Sequence, residues 1–319
     1  MRYIFYGAGA IGGTLGARLF EAGRDVVLIA RGEHGRAIAA HGLRFGTPEG
    51  WRSLRIPVVA HPGELALGNG DVVVLAMKSQ DTAGALAALV ASAPPALHVV
   101  CAQNGVENER RCLRLFANTH GMCVLMAGVH LEPGVVHQHN PPLGANCDIG
   151  RVPRGSDGID AQFAADLLAA GVRSSACGDV MARKYAKLVL NLLNVLEAAS
   201  GRDAYGSELG RRARDEAAAV FAAAGIHPYQ APATPQAAMG FAAVEGVERP
   251  GGSTLQSLAR GASSLEGDDL NGEIVLLGRL HGVATPVNAM LQRLALRLVA
   301  ERIAPGSIPL SELDAAVPD

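Results

Sequence analysis

The chain opens on an apolar run, Arg2-Tyr3-Ile4-Phe5-Tyr6, followed at once by Gly7-Ala8-Gly9-Ala10-Ile11-Gly12-Gly13 and then by a helix-patterned stretch to Ala22. Strand, glycine turn and helix in that order are the start of a βαβ unit that holds a dinucleotide. Gly7 allows the tight turn, Gly9 lets a pyrophosphate approach the backbone, and Gly12 lets the helix pack close to the strand. Ala10 and Ile11 complete the turn, and the free N–H groups of the helix start favour an anion. With 39 glycines in the chain, such a triplet also arises without a ligand. Its position after a first strand, and the apolar Leu15, Leu19 and Phe20 behind it, favour a nucleotide turn. A methyltransferase loop is the competing reading, since it too places glycines after a first strand.

The next apolar run, Asp25-Val26-Val27-Leu28-Ile29-Ala30, reads as a buried parallel strand. A chain specific for NAD usually places Asp or Glu near this strand's end to accept from the ribose hydroxyls. Here the sequence continues Ala30-Arg31-Gly32. A guanidinium suits a 2′-phosphate through charge-assisted, often bidentate contacts, so the expected cofactor is NADP (as NADPH). The bland alternative is a solvated loop arginine.

Further strands fall at 72–76 and 97–101, with helical sequence around 83–91, an alternation that implies a parallel sheet. Residues 124–130 and 135–139 read as a hairpin turning at Glu132-Pro133-Gly134. A loop at 151–158 leads to a helix at 159–170. From about Gly178 the pattern is helical: 181–199, 209–224, 253–260 and 268–281. The expected fold class is α/β, an N-terminal Rossmann-type dinucleotide-binding domain over 1–177 followed by an all-helical C-terminal domain over 178–319.

A net charge of −2 gives no basic field for nucleic acid or an anionic membrane. No apolar run is long enough to span a bilayer. The opening residues are committed to strand and turn rather than to a signal peptide. Cys101, Cys112, Cys123, Cys147 and Cys177 show neither C-x-x-C nor zinc spacing, and so read as small apolar residues in a reducing, cytoplasmic compartment. His130, His137 and His139 lack a carboxylate or cysteine to complete a metal set and are expected to be solvated or hydrogen-bonded; no metal is expected.

The second informative segment is Lys184-Tyr185-Ala186-Lys187-Leu188-Val189-Leu190-Asn191-Leu192-Leu193-Asn194-Val195-Leu196. Leu and Val cover nearly all sides, so burial is expected on most faces. Lys187, Asn191 and Asn194 fall on one stripe. That stripe is either a polar seam between helices or a substrate-facing wall. Desolvation lowers a lysine pKa, which fits the group to pass a proton to a developing alkoxide. Lys78 follows the strand at 72–76, and Gln103-Asn104-Gly105 follows the strand at 97–101. Both lie at the carboxyl edge, where open α/β sheets bind ligands.

These motifs in this order, with Glu266 ahead of Asn271-Gly272, make the chain resemble the ketopantoate reductase (2-dehydropantoate 2-reductase) family over nearly its whole length. The resemblance implies an active site in the cleft between the two domains, NADPH as hydride donor, and a 2-oxo acid reduced to a 2-hydroxy acid in pantothenate biosynthesis. It implies Lys187 as general acid, Asn191 as a substrate-binding amide, and Arg31 at the 2′-phosphate. It also implies Asn104 and Lys78 at the nicotinamide end and substrate, and Glu266 as an orienting carboxylate. The sequence departs from the pattern twice. Val195 stands where the family often has a second Asn, with Asn194 one residue earlier. The family's serine pair is replaced by Pro250-Gly251-Gly252-Ser253-Thr254-Leu255-Gln256, with Ser253 the candidate substrate hydroxyl and Glu266 one residue further on than the pattern has it. The alternatives are a family reductase for a different 2-oxo acid, and a non-catalytic NADP-sensing protein. A homodimer is compatible with the helical half.

Overall fold

The computed structural model describes residues 1–230, 239–248 and 251–317. Pro250, in the run preceding Ser253, lies outside the described residues. The chain divides into two compact units. The first comprises Met1–Gln103, Asn108–Met181 and the described part of Ala231–Arg249; the second comprises Asn104–Glu107, Ala182–Gln230 and the described part of Pro250–Asp319.

The first unit is built on β1 (Arg2–Tyr6), α1 (Gly12–Glu21), β2 (Asp25–Ile29), α2 (Gly32–His41), β3 (Leu43–Thr47), β4 (Gly50–Leu54), β5 (Val58–Val59), β6 (Asp71–Leu75), α3 (Thr82–Ser92), β7 (His98–Cys101), α4 (Glu107–Leu113, entered from the 104–107 turn), β8 (Thr119–Leu125), β9 (Gly128–Val129), β10 (Val135–Gln138), β11 (Asn146–Arg151) and α5 (Gly158–Ala169). Among the described residues, seven strands form one sheet in the order β11-β8-β7-β6-β1-β2-β5. All pairs in it are parallel except β11 on β8. After their first residues (Arg2, Asp71 and His98) the central strands β1, β6 and β7 are apolar, because both faces are covered. Tyr3 and Phe5 join one core layer with Val72 and Val74, while Ile4 and Tyr6 join the other with Val73 and Leu75. After β1 the chain moves outward to β2 and then returns to β6 on β1's other side. That places a topological switch at the carboxyl ends of β1 and β6, where such sheets bind ligands.

A second sheet, β4-β3-β10-β9, holds the hairpin, which is shorter than its sequence reads. Val124 and Leu125 belong to β8 in the large sheet, and only Gly128–Val129 pairs with β10. The loop expected from 151 begins one residue inside β11, whose hydrogen bonds to β8 run from Asn146 to Arg151.

The second unit contains the helices α6 (Val180–Asn191, entered from the first unit), α7 (Asn194–Ser200), α8 (Glu208–Ala223), α9 (Ser253–Ala259), α10 (Gly267–His281), α11 (Pro286–Ala300) and α12 (Leu310–Ala315). Leu193, Leu196, Leu209, Leu291, Leu294 and Leu298 make its core. The continuous helix expected over 181–199 is in fact two, broken at Leu192-Leu193. Its burial is also uneven. Residues 192–199 are all buried, but on α6 beyond Val180 only Lys184 and Leu188 are, and Leu190 is 60% exposed. The break frees the Leu192 carbonyl, which accepts from Asn271 Nδ2 at 3.1 Å. Asn271 Nδ2 also donates to Asn288 Oδ1 (3.0 Å), and Asn288 Nδ2 donates to Glu216 Oε2 (2.7 Å). Glu216 in turn accepts from the Val287 and Asn288 amides, satisfying the start of α11. A buried polar chain thus stands where an unbroken helix would have satisfied its own carbonyl.

Candidate active site

The β1–α1 turn uses its glycines for different reasons. A Cβ on Gly7 would lie 2.7 Å from the Met77 amide nitrogen, and Gly7 has φ +101°, so β1 turns tightly against the end of β6. A Cβ on Gly12 would overlap the Gly7 carbonyl oxygen. At Gly9 the nearest atom is a carbon of the His130 ring at 3.7 Å, so the protein itself leaves room for a side chain there. The space beside Gly9 is what a pyrophosphate needs. The start of α1 agrees with this, because it carries no side-chain cap and no acidic residue in its first turn. The turn therefore fits the phosphates of a dinucleotide, with Ala10 and Ile11 lying at the helix start.

Beside it is a cavity of about 490 Å³, lined by Tyr6, Gly7, Ala30, Arg31, Gln80 and Asp81 among others. Arg31 caps the start of α2, and its Nη2 lies 3.3 Å from Asp81 Oδ1. Lys78 is half-buried at the turn after β6 and is not part of the cavity lining. The sequence reading missed His34, which lines the same cavity. Its Nδ1 accepts from the Gly134 amide at 2.8 Å, which puts the ring hydrogen on Nε2, donating to the Ala8 carbonyl at 2.8 Å. Burial pushes the pKa of His34 down, against the hydrogen bond to Ala8. The neutral ring thus ties the glycine turn to the second sheet. Only the local GEH sequence after Arg31 marks this residue, and nothing in it foretells Gly134, 100 residues away.

The three hairpin histidines make hydrogen-bonding contacts. His130 Nδ1 lies 3.0 Å from the Val135 carbonyl, and His137 Nδ1 lies 3.0 Å from His139 Nε2. A buried network behind the sheet's carboxyl edge was also missed. Gln103 Nε2 donates to Thr82 Oγ1 (2.7 Å), Thr82 Oγ1 to Asn108 Oδ1 (2.9 Å), and Asn108 Nδ2 to Ser79 Oγ (2.9 Å). It anchors the residue before Asn104 and the residue after Lys78.

In the second unit the structure brings Lys187 and Asn104 together, with Lys187 Nζ donating to Asn104 Oδ1 at 2.8 Å. Gly105, next to Asn104, lets this turn pass close to α10. It has φ +76°, and a Cβ there would lie 2.9 Å from the Asp269 carbonyl at the start of α10. Lys187 is half-buried, so the full burial expected of it falls instead on Lys184, 3% exposed. Asn194 opens α7 after the break, and its Nδ2 lies 3.5 Å from Ser253 Oγ, a long contact. Asn191 is joined to neither pair; its buried Nδ2 has no hydrogen-bond partner among the described residues. Glu266 is buried at the residue before α10, and its carboxylate does not cap that helix.

Gly251 and Gly252 lie over the buried carboxylate of Glu197, which accepts from Tyr205 Oη at 3.0 Å. A Cβ on Gly252 would overlap Glu197 Oε2. Ser253 carries the first hydroxyl of the run, and a side chain at 252 would require the Glu197 carboxylate to shift.

Comparison with known proteins follows the same two parts. The family model described as ketopantoate reductase PanE/ApbA matches residues 3–153, and its C-terminal counterpart matches residues 179–298. A 2-dehydropantoate 2-reductase of Pyrococcus horikoshii is 28% identical over 305 residues, 91% of this chain and 95% of that protein. The crystal structure of a PanE/ApbA family ketopantoate reductase from Ralstonia eutropha superposes with a TM-score of 0.77 at 30% identity, covering 95% of this chain and 99% of that one. D-mandelate dehydrogenase, solved with NADH and anilino(oxo)acetate, shares the fold with a TM-score of 0.77 at 20% identity, covering 94% and 99%. The α/β sheet unit with its glycine turn, the helical unit with its lysine, and these matches together place the chain in the ketopantoate reductase family of oxidoreductases.

Proposed function

We propose that this protein is an NADPH-dependent 2-dehydropantoate 2-reductase, converting the 2-oxo acid to pantoate in pantothenate biosynthesis. The observation that carries this reading is the 2.8 Å hydrogen bond from Lys187 Nζ to Asn104 Oδ1. It aims an ammonium group, the acid that carbonyl reduction needs, while Asn191, Asn194 and Ser253 of the same unit would offer amide and hydroxyl groups to a carboxylate.

Gly7, Gly9, Ala10, Ile11 and Gly12 would hold the pyrophosphate and Arg31 the 2′-phosphate. Lys78, Asn104 and Glu266 would serve the nicotinamide end. When bound, NADPH would supply the hydride for the reduction. Lys187 donates a hydrogen bond to the carbonyl oxygen, gives its proton to the alkoxide as negative charge develops, and recovers a proton from water. Asn104 holds the lysine in line through its carboxamide oxygen. Asn191 has an unused N–H for the substrate, while Asn194 and Ser253 take the carboxylate. The balance is one 2-oxo acid, one NADPH and one proton giving one 2-hydroxy acid and NADP.

A second reading, reduction of a different 2-oxo acid, is favoured by one observation. The helix break at Leu192-Leu193 starts α7 at Asn194, so this amide is presented from a new helix start rather than from the continued face of α6. Steady-state NADPH oxidation with ketopantoate and with branched and aryl 2-oxo acids tests both readings. The first expects the highest kcat/KM with ketopantoate, and the second expects it with another acid. A chain that binds NADPH and reduces none of them would be a sensor. The composition and the proposed substrate fit a cytoplasmic protein, and among the described residues no helix is long and apolar enough to cross a membrane.

A further inference from the structure

The cavity beside the glycine turn holds an ion pair that bears directly on which dinucleotide it prefers. Arg31 and Asp81 both line it, their side chains 69% and 47% exposed, with Nη2 and Oδ1 3.3 Å apart. Tyr6, at the end of β1, feels both charges. Burial raises its pKa, Arg31 acts to lower it and Asp81 to raise it. His34, the neighbouring ring, has both nitrogens engaged by backbone and is held toward the neutral form by burial. The guanidinium that a 2′-phosphate would need is therefore already facing a carboxylate inside the same cavity.

We propose that Asp81 sets the cofactor preference of this protein, restraining its selectivity for NADPH and sustaining binding of NADH. This rests on the dinucleotide reading of the cavity given above. A 2′-phosphate carries about −1.5 to −2 charges near pH 7. To engage Arg31 it must compete with the Asp81 carboxylate or sit beside it, so part of the attraction is cancelled. A ribose 2′-hydroxyl meets the opposite situation, because it can donate to Asp81 and leave the ion pair in place. A carboxylate for the ribose is expected at the end of the second strand, where this chain has Arg31. Here one is supplied from a different part of the chain, the turn between β6 and α3.

Calorimetric titration of the full chain with 2′,5′-ADP and with ADP reads this without turnover. The Asp81→Asn variant is expected to bind 2′,5′-ADP about three- to fivefold more tightly, the scale of one exposed ion pair, with ADP unchanged or weaker. The Arg31→Ala variant is expected to lose the preference for 2′,5′-ADP. An Asp81→Ser variant must move the ratio in the same direction as Asp81→Asn, which separates the charge from the shape of the side chain. The proposal is overturned if both Asp81 variants change the two affinities by the same factor, or if they weaken 2′,5′-ADP. If the wild-type chain binds neither probe, the dinucleotide reading of the cavity fails first, and this inference with it.

Discussion

The turn from β1 to α1 and the break between α6 and α7 are two departures from regular structure beside proposed site residues, and they are held by opposite means. At the first, the constraint is local: Gly12 packs against the carbonyl of Gly7 only five residues earlier. At the second, the opened backbone is satisfied from far along the chain, the Leu192 carbonyl by Asn271 and Lys187 by Asn104. A local device needs the right residue type at the right spacing. A long-range one needs two distant segments to arrive together, so its stability and its geometry depend on the whole helical unit.

The sharpest cut between the two places removes the proposed acid without touching the turn. Lys187→Ala is expected to lower kcat by about 10²- to 10⁴-fold with NADPH affinity retained, measured by steady-state turnover and fluorescence titration. A parallel loss of cofactor binding would show that the two places are not separable in this way. Next in size, Asn271→Ala removes the donor to the Leu192 carbonyl and to Asn288 Oδ1. It is expected to cost about 1–3 kcal/mol in urea unfolding and to lower kcat/KM, because the break also positions Asn191 and Asn194. Retained stability and activity would mean that the α6–α7 break holds itself.

Within the turn, Gly12→Ala and Gly9→Ala separate packing from ligand. Gly12→Ala is expected to destabilise the fold by about 1–3 kcal/mol through overlap with the Gly7 carbonyl. Gly9→Ala should leave the melting temperature unchanged and weaken NADPH, since no protein atom crowds that position. The reverse pattern would undo the assignment of Gly9 to the pyrophosphate.

The last effect, similar in size but confined to acid, concerns pH. Burial and the neighbouring His139 lower the pKa of His137 to about 4, below the ordinary histidine value near 6.5. Between those values the unfolded chain binds the proton that the folded chain refuses. This contribution is therefore intact above about pH 6.5 and is lost as pH falls through about 4, an effect on the order of 1–3 kcal/mol. A His137→Gln variant should show a shallower loss of urea stability from pH 7 to pH 4.5 than the wild type. Equal slopes would place the acid sensitivity elsewhere.

The same contrast explains what could be read from residues alone. β1, β6 and β7 are legible because strands buried on both faces carry runs of apolar residues, and the glycine turn is legible because Gly7 and Gly12 each answer to a nearby atom. The small sheet is not, since β9 has two residues and its pairing with β10 is set by tertiary context rather than by a run of its own. The break after Asn191 is hidden for another reason. Leu192 and Leu193 are good helix formers, and only the partner at Asn271 makes the interruption tolerable. Lys187 and Asn194 could be picked out as polar groups among leucines. Their partners Asn104 and Ser253 lie 83 and 59 residues away, and sequence spacing says nothing about such pairings.

The pairing of Asn104 with Lys187 has a consequence for recombination. Any single crossover placed between residues 108 and 181 gives a chimera that takes Asn104 from one parent and Lys187 from the other. Joining the front of one relative to the back of another therefore recombines Lys187 with a foreign partner, and the fusion inherits a hydrogen bond that neither parent had selected. A functional exchange must carry the Asn104–Glu107 turn along with the helices, as a graft of four residues into the host's sheet unit.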